Sequence, residues 1–188
     1  MRFYLSFFLI LAMAIASSAA AAFADSPSST VVTANVSGGG LAESGPGSVA
    51  ATPLTLNGIN QTTTFTLPIT VNDFTGTGAG WHLTITSTQF SNTAAPTLLK
   101  LAPNASHITG VTAVCNGGTC TNPTNTIAYP VLVPVTASTP STVPFFQAQA
   151  NTGMGGFTVT PTISVITQAN IYAGDYTSTF TVSLVSGP

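Results

Sequence analysis

The chain of 188 residues carries two lysine or arginine side chains against four acidic ones, a net charge of −2, while 44% of its residues are apolar. So few cations exclude nucleic acid, whose phosphates are held by clusters of Lys and Arg, and they exclude an ionic grip on anionic wall polymers on the same ground. The apolar fraction is too high for a disordered chain, so Thr, Ser and Asn supply the polarity of a folded body whose ligands must be held by hydrogen bonds, shape and stacking.

Arg2, the apolar run Phe3 to Ala16 and the small residues ending Ala22-Phe23-Ala24 before Asp25 form the charge, apolar core and A-x-A pattern of a secretory signal peptide. The expectation is a signal-peptide helix over 1–24, cleavage between Ala24 and Asp25, and one domain over 25–188, a length that suits a single core. The competing reading is an uncleaved anchor, since the apolar character reaches about the ~20 residues of a membrane span. No later stretch is long and apolar enough to span a bilayer.

Beyond the leader, period-two alternation is the dominant signal. Thr30 to Val36 and Thr52 to Leu56 are strand candidates, with the Gly-, Ser- and Ala-rich residues 37–50 between them as a loose connection. Phe65, Leu67, Ile69 and Val71 alternate with Thr64, Thr66, Pro68 and Thr70; Trp81, Leu83 and Ile85 alternate with His82, Thr84 and Thr86. Ile108 to Val114 and Ile127 to Val135 follow, then Phe157 to Val165 and Phe180 to Leu184. The clusters Gly76 to Gly80 and Gly153 to Gly156 read as turns. Pro68, Pro130, Pro134 and Pro161 point to edge strands or bulges, because proline cannot donate to a ladder. Half-polar strands at short spacing predict an all-β fold, an antiparallel sandwich or barrel-like sandwich, Ig-like in style.

Cys115 and Cys120 bracket the turn sequence Asn116-Gly117-Gly118-Thr119 in a chain expected to be exported, so a local disulfide pinning a hairpin end is the natural reading. A metal site wants more ligands than these two and His107 provide. Gly76 to Gly80 superficially resembles a phosphate cradle, but a strand follows it and not a helix N-terminus. Two histidines and four acids, none in a nucleophile or metal-protease motif, predict no catalytic residues, no enzyme and no cofactor, although a fold can bring distant carboxylates together. Trp81 is the only tryptophan, and it reads either as a core residue heading an apolar face or as an exposed platform for a sugar ring.

Taken in order, Thr70-Val71-Asn72-Asp73-Phe74-Thr75-Gly76-Thr77-Gly78-Ala79-Gly80-Trp81-His82-Leu83 resembles the first signature of the WxL domain, a family of bacterial surface domains that attach non-covalently to peptidoglycan. The likeness continues at Asn151-Thr152-Gly153-Met154-Gly155-Gly156-Phe157 and at Ala173-Gly174-Asp175-Tyr176 before the last strand. Trp81, Leu83, Gly153, Gly155, Gly174, Tyr176 and Leu184 carry the motif. There are two departures: the family's second Trp-x-Leu stands here as Val182-Ser183-Leu184, and the stretch that usually carries a basic residue reads Asp73-Phe74-Thr75.

The resemblance implies a secreted protein of the bacterial cell surface or wall. Its partners would be peptidoglycan or another wall glycan, and other surface proteins, with no membrane contact after cleavage. The glycine turns at 76–80 and 153–156 would supply neutral contacts. The rival reading is a pilus or coat subunit that assembles by strand exchange; a free alternating donor strand would mark it, and Thr30 to Val36, short and followed by Gly38-Gly39-Gly40, fits either reading.

Overall fold

The structure is a computed structural model that describes residues 31–137 and 141–188. The expected leader helix and the cleavage site at Ala24 and Asp25 lie outside the described residues. The chain divides into a unit over 1–35 and one over 36–188. In the first, Val31 to Asn35 form no strand and are exposed.

The second unit is all-β, built from antiparallel sheets that do not close into a barrel. Its strands are β1 (Leu41–Ser44), β2 (Gln61–Thr66), β3 (Ile69–Asp73), β4 (Trp81–Ser87), β5 (Ser91–Asn92), β6 (Ser106–Cys115), β7 (Val131–Leu132), β8 (Val143–Ala148), β9 (Gly155–Thr167), β10 (Tyr176–Thr177) and β11 (Phe180–Ser186). One sheet runs β1-β3-β9-β6-β7, with β2 also paired to β9; a second runs β11-β4-β8; β10 and β5 form a short pair.

Alternation decides which face goes inside. Phe65, Ile69 and Val71 from β2 and β3 meet Phe157, Val159 and Ile163 of β9 on the inner face of the large sheet, and Trp81, Leu83 and Ile85 of β4 supply the opposing layer. Burial of this apolar surface is the main term holding the sheets together. The outer face of the large sheet carries threonines instead: Thr62, Thr64 and Thr66 are exposed on β2, and Thr158, Thr160 and Thr162 are half-buried on β9.

Several expected elements differ. The single alternating run from Thr64 to Val71 is two strands, broken at Leu67-Pro68, and both halves pair with β9. Pro161 lies in the middle of β9, the central strand, and not at an edge. The N–H and C=O of one strand residue point the same way, and the Pro161 carbonyl accepts from Leu67 N (3.1 Å). The missing donor therefore faces the break between β2 and β3, where the ladder is interrupted.

Residues 37–50 are not wholly loose, since Leu41–Ser44 pairs with β3, from Ser44↔Thr70 to Leu41↔Asp73. Val31 to Val36 and Thr52 to Leu56 form no strand. Of Ile127 to Val135 only Val131–Leu132 is a strand, flanked by Pro130 and Pro134. β8 was not expected at all. A register shift opposite Leu83 and Thr84 places an extra residue in it, so that Phe145 and Phe146 are both buried and the alternation is lost.

Candidate functional site

The family-like residues fall at two opposite ends of the sandwich. At the first end, the turn Gly76 to Gly80 leads into β4 and delivers Trp81 straight into the core. Its side chain is fully buried, its ring lies 5.8 Å from that of Phe146, and its indole N–H donates to the Gly153 carbonyl (2.9 Å). Gly153 has φ of +74°, and a Cβ there would stand 2.4 Å from the Ala148 Cβ and 2.8 Å from Trp81 Nε1. Only glycine fits.

The surrounding loops are bonded to one another. Asn151 N donates to Gly78 O (2.8 Å), Gly153 N to Thr121 O (2.7 Å), Thr121 N to Met154 O (2.9 Å) and Gly187 N to Gly80 O (2.9 Å). Cys115 and Cys120 are disulfide-bonded with their Cα atoms 6.1 Å apart, inside the ordinary range for a bridge. Gly155 lies against Cys120, whose Sγ would stand 3.0 Å from a Cβ at that position. The bridge closes a turn and not a hairpin, because the returning residues 121–130 form no strand and lean instead on 153 and 154. Asp73, buried at the end of β3, accepts from Thr75 N (3.1 Å) and Thr75 Oγ1 (2.7 Å). Much of the polar capacity of this end is thus spent internally.

The second end is open. A groove of ≈1010 Å³ runs between the segment 46–56 and the segment 171–180. Phe65, Phe90, Leu101 and Phe180 are among the apolar side chains lining it. The ring of Phe180 meets those of Phe65 (5.6 Å) and Phe90 (6.0 Å) edge-on, a favourable aromatic geometry. Tyr172, 68% exposed, stands at the rim, and the Tyr176 hydroxyl donates to its carbonyl (2.9 Å).

Gly174 bends this rim with φ of +150°, and a Cβ there would stand 2.3 Å from Asn92 Nδ2. Asp175 is the one charged residue among the described residues of the lining; Ser48, Thr52, Thr177 and Thr179 contribute hydroxyls. The segment 46–56 is tied down sparsely. Thr52 N donates to Thr64 O (3.2 Å), Thr63 Oγ1 to Thr52 O, and Gln61 Nε2 to Thr55 O (2.9 Å). A concave, mostly apolar and nearly uncharged groove with hydroxyls at its edges suits a neutral ligand.

Comparison with protein families matches residues 49–188 to the WxL domain, described as surface cell wall-binding. The chain belongs to the WxL family. The family makes it a secreted protein of the cell surface or wall, with the cell wall as its partner. The match takes in both ends of the sandwich and begins after β1. Comparison with curated proteins and with solved structures returns no match.

Within this WxL domain the expected motif residues do not form one site. Trp81, Leu83, Gly153 and Gly155 gather at the closed end and in the core beneath it, and of the two readings of Trp81 the structure takes the core one. Leu184 pairs with Leu83 across β11 and β4. Gly174 and Tyr176 belong to the open end. Val182, where the family has a second tryptophan, is half-buried opposite Ile85. Sequence reasoning missed Tyr172, Phe90 and the segment 46–56 as one lining, and only the aromatic content of Ile171 to Phe180 hinted at it. Among the described residues no group of His, Cys, Asp and Glu could hold a metal ion.

Proposed function

We propose that this WxL domain binds peptidoglycan non-covalently through the open groove, with a structural or surface-display role and no catalysis. The observation that carries the reading is the groove's chemistry: aromatic rings and hydroxyls around a space of ≈1010 Å³ with one charged residue among those described, Asp175. Aromatic faces with hydroxyl neighbours suit the apolar faces and hydroxyl edges of a sugar chain, and a charge-poor lining costs little to desolvate. In this reading the closed end is a scaffold: Trp81 and Gly153 hold the loops, and the motif residues Gly174 and Tyr176 shape the rim. Other surface proteins are candidate partners for the displayed face. The domain is proposed to comprise 25–188 after removal of 1–24.

Sedimentation of the purified protein with insoluble peptidoglycan tests the reading. Binding that survives high salt and weakens in Tyr172→Ala is expected, because stacking is not screened as ion pairs are. A protein that stays in the supernatant with peptidoglycan, yet is native by thermal melting, overturns it.

A further inference from the structure

Asparagine followed by glycine is chemically labile in water, because the glycine nitrogen, with no side chain beside it, can reach the asparagine amide carbon and displace ammonia. The sequence has two such steps, Asn57-Gly58 and Asn116-Gly117. Both asparagines are exposed, yet the fold holds them differently.

At the first, Ile59 N donates to Asn57 Oδ1 (3.3 Å). This Asx turn folds the side chain back over the following peptide and brings its amide carbon toward Gly58 N. The donated N–H also lies where negative charge develops on Oδ1 during attack. Gly58 has φ of +84°, and the space where a Cβ would stand is open. At the second, Asn116 Oδ1 accepts from Thr158 Oγ1 (2.6 Å) on β9, and Asn116 N donates to Gly156 O (2.9 Å). That amide is drawn toward β9 and away from Gly117, which lies inside the turn closed by Cys115 and Cys120. Attack there requires the bond to Thr158 to break within a cross-linked loop.

We propose that Asn57 is a site of spontaneous deamidation, with water as the co-reactant, and that its conversion loosens the wall of the groove. Gly58 N loses its proton and its electron pair forms a bond to Asn57 Cγ; the Cγ–Nδ2 bond breaks and ammonia leaves with a proton. Water then opens the resulting succinimide at one of its two carbonyls. Opening at Cγ leaves an aspartate. Opening at the main-chain carbonyl leaves an isoaspartate, whose chain runs through Cβ and Cγ and is longer by one atom. Either product carries one more negative charge.

The extra atom falls where register is set. Thr52 N donates to Thr64 O (3.2 Å) and Gln61 Nε2 to Thr55 O (2.9 Å). The segment 46–56 thus folds back on β2 about Gly58, with Thr52 opposite Thr64 and Thr55 opposite Gln61. Lengthening one arm of this reversal takes those pairs out of step, and Leu54 and Leu56 of the groove lining ride on that arm. The change is independent of what the groove binds.

The full-length protein, kept folded in mildly alkaline buffer and sampled over days, is mapped by peptide mass spectrometry. Amide loss is expected at position 57 well ahead of 116, with aspartate and isoaspartate both present and an acidic species growing on anion exchange. In denaturant, with the disulfide reduced, the two positions should convert at like rates, since the fold alone separates them. Asn57→Gln, at an exposed position, should remove the acidic species. In the isolated isoaspartate form the Thr52 amide should exchange hydrogen faster than in fresh protein. Conversion at 116 first, equal rates at the two positions in the folded chain, or an Asn57 that keeps its amide overturns the proposal. Unchanged exchange at Thr52 in the isoaspartate form overturns the loosening of the wall.

Discussion

The two ends of the sandwich use the same kind of sequence, glycine-rich loops with one or two aromatic residues, to opposite effect. At the closed end Gly153 lets the Trp81 indole reach a carbonyl and the loops consume one another's hydrogen bonds. At the open end Gly174 bends the chain so that Tyr172 stands in solvent over a groove. A signature motif can therefore close one end on itself and leave a groove at the other, and burial separates the two arrangements where residue type does not.

The largest expected effect tests the closed end. Trp81→Ala should destabilise the domain by ~3 to 5 kcal/mol and Trp81→Phe far less, read by denaturant unfolding. A stable Trp81→Ala protein that has lost wall binding would reverse the comparison. Replacing Cys115 and Cys120 together by serine should cost ~2 kcal/mol, the chain-entropy value for so short a loop, and hydrogen exchange should place the loosening at residues 115–124 and 149–156.

Tyr172→Ala sharpens the contrast from the other side. Stability should stay within ~0.5 kcal/mol, as for an exposed side chain, while peptidoglycan binding should weaken toward the low end of ~1–3 kcal/mol, by analogy with bases stacked on aromatic side chains. Loss of stability in place of binding would make the rim architectural too.

The smallest effect is alkaline. Burial raises the Tyr129 pKa above the usual phenol value, partly opposed by the Asn125 amide that donates to its oxygen. A raised value means that the folded state holds the proton more tightly than the unfolded one. The contribution is complete below the ordinary tyrosine pKa of about 10 and is lost as pH rises through the folded value. Tyr129→Phe, which also gives up the bond to Phe145 O (2.8 Å), should flatten the alkaline decline in melting temperature.

Where one face is apolar and the other threonine, the elements were legible: β4, β9 and β11 follow from that pattern, and so does the stretch of β2 and β3, though as a single run whose break at Leu67-Pro68 the pattern does not show. β1 was not, because Leu-Ala-Glu-Ser has no alternation and becomes a strand only by pairing with β3. β8 was hidden by its extra residue, Phe145, which falls between the paired Pro144 and Phe146 and breaks the alternation. Thr52 to Leu56 misled in the other direction. Leu54 and Leu56 do turn inward, but toward the groove, and Pro53 has no N–H to offer a ladder. The groove itself was illegible because its wall comes from segments more than a hundred residues apart. The disulfide and the core position of Trp81 were readable from neighbours in sequence, a turn in one case and a strand face in the other.

The threonine face of the large sheet bears on how the protein behaves as a colloid. Most proteins keep apart in solution by like-charge repulsion and precipitate near their isoelectric point. Here the water layer is held by the hydroxyls of Thr62, Thr64, Thr66, Thr158, Thr160 and Thr162, which do not titrate. Passing through the isoelectric point therefore removes little of what keeps the surface wetted, and the face stays hydrated through the swings of acidity and salt that meet a protein outside the cell.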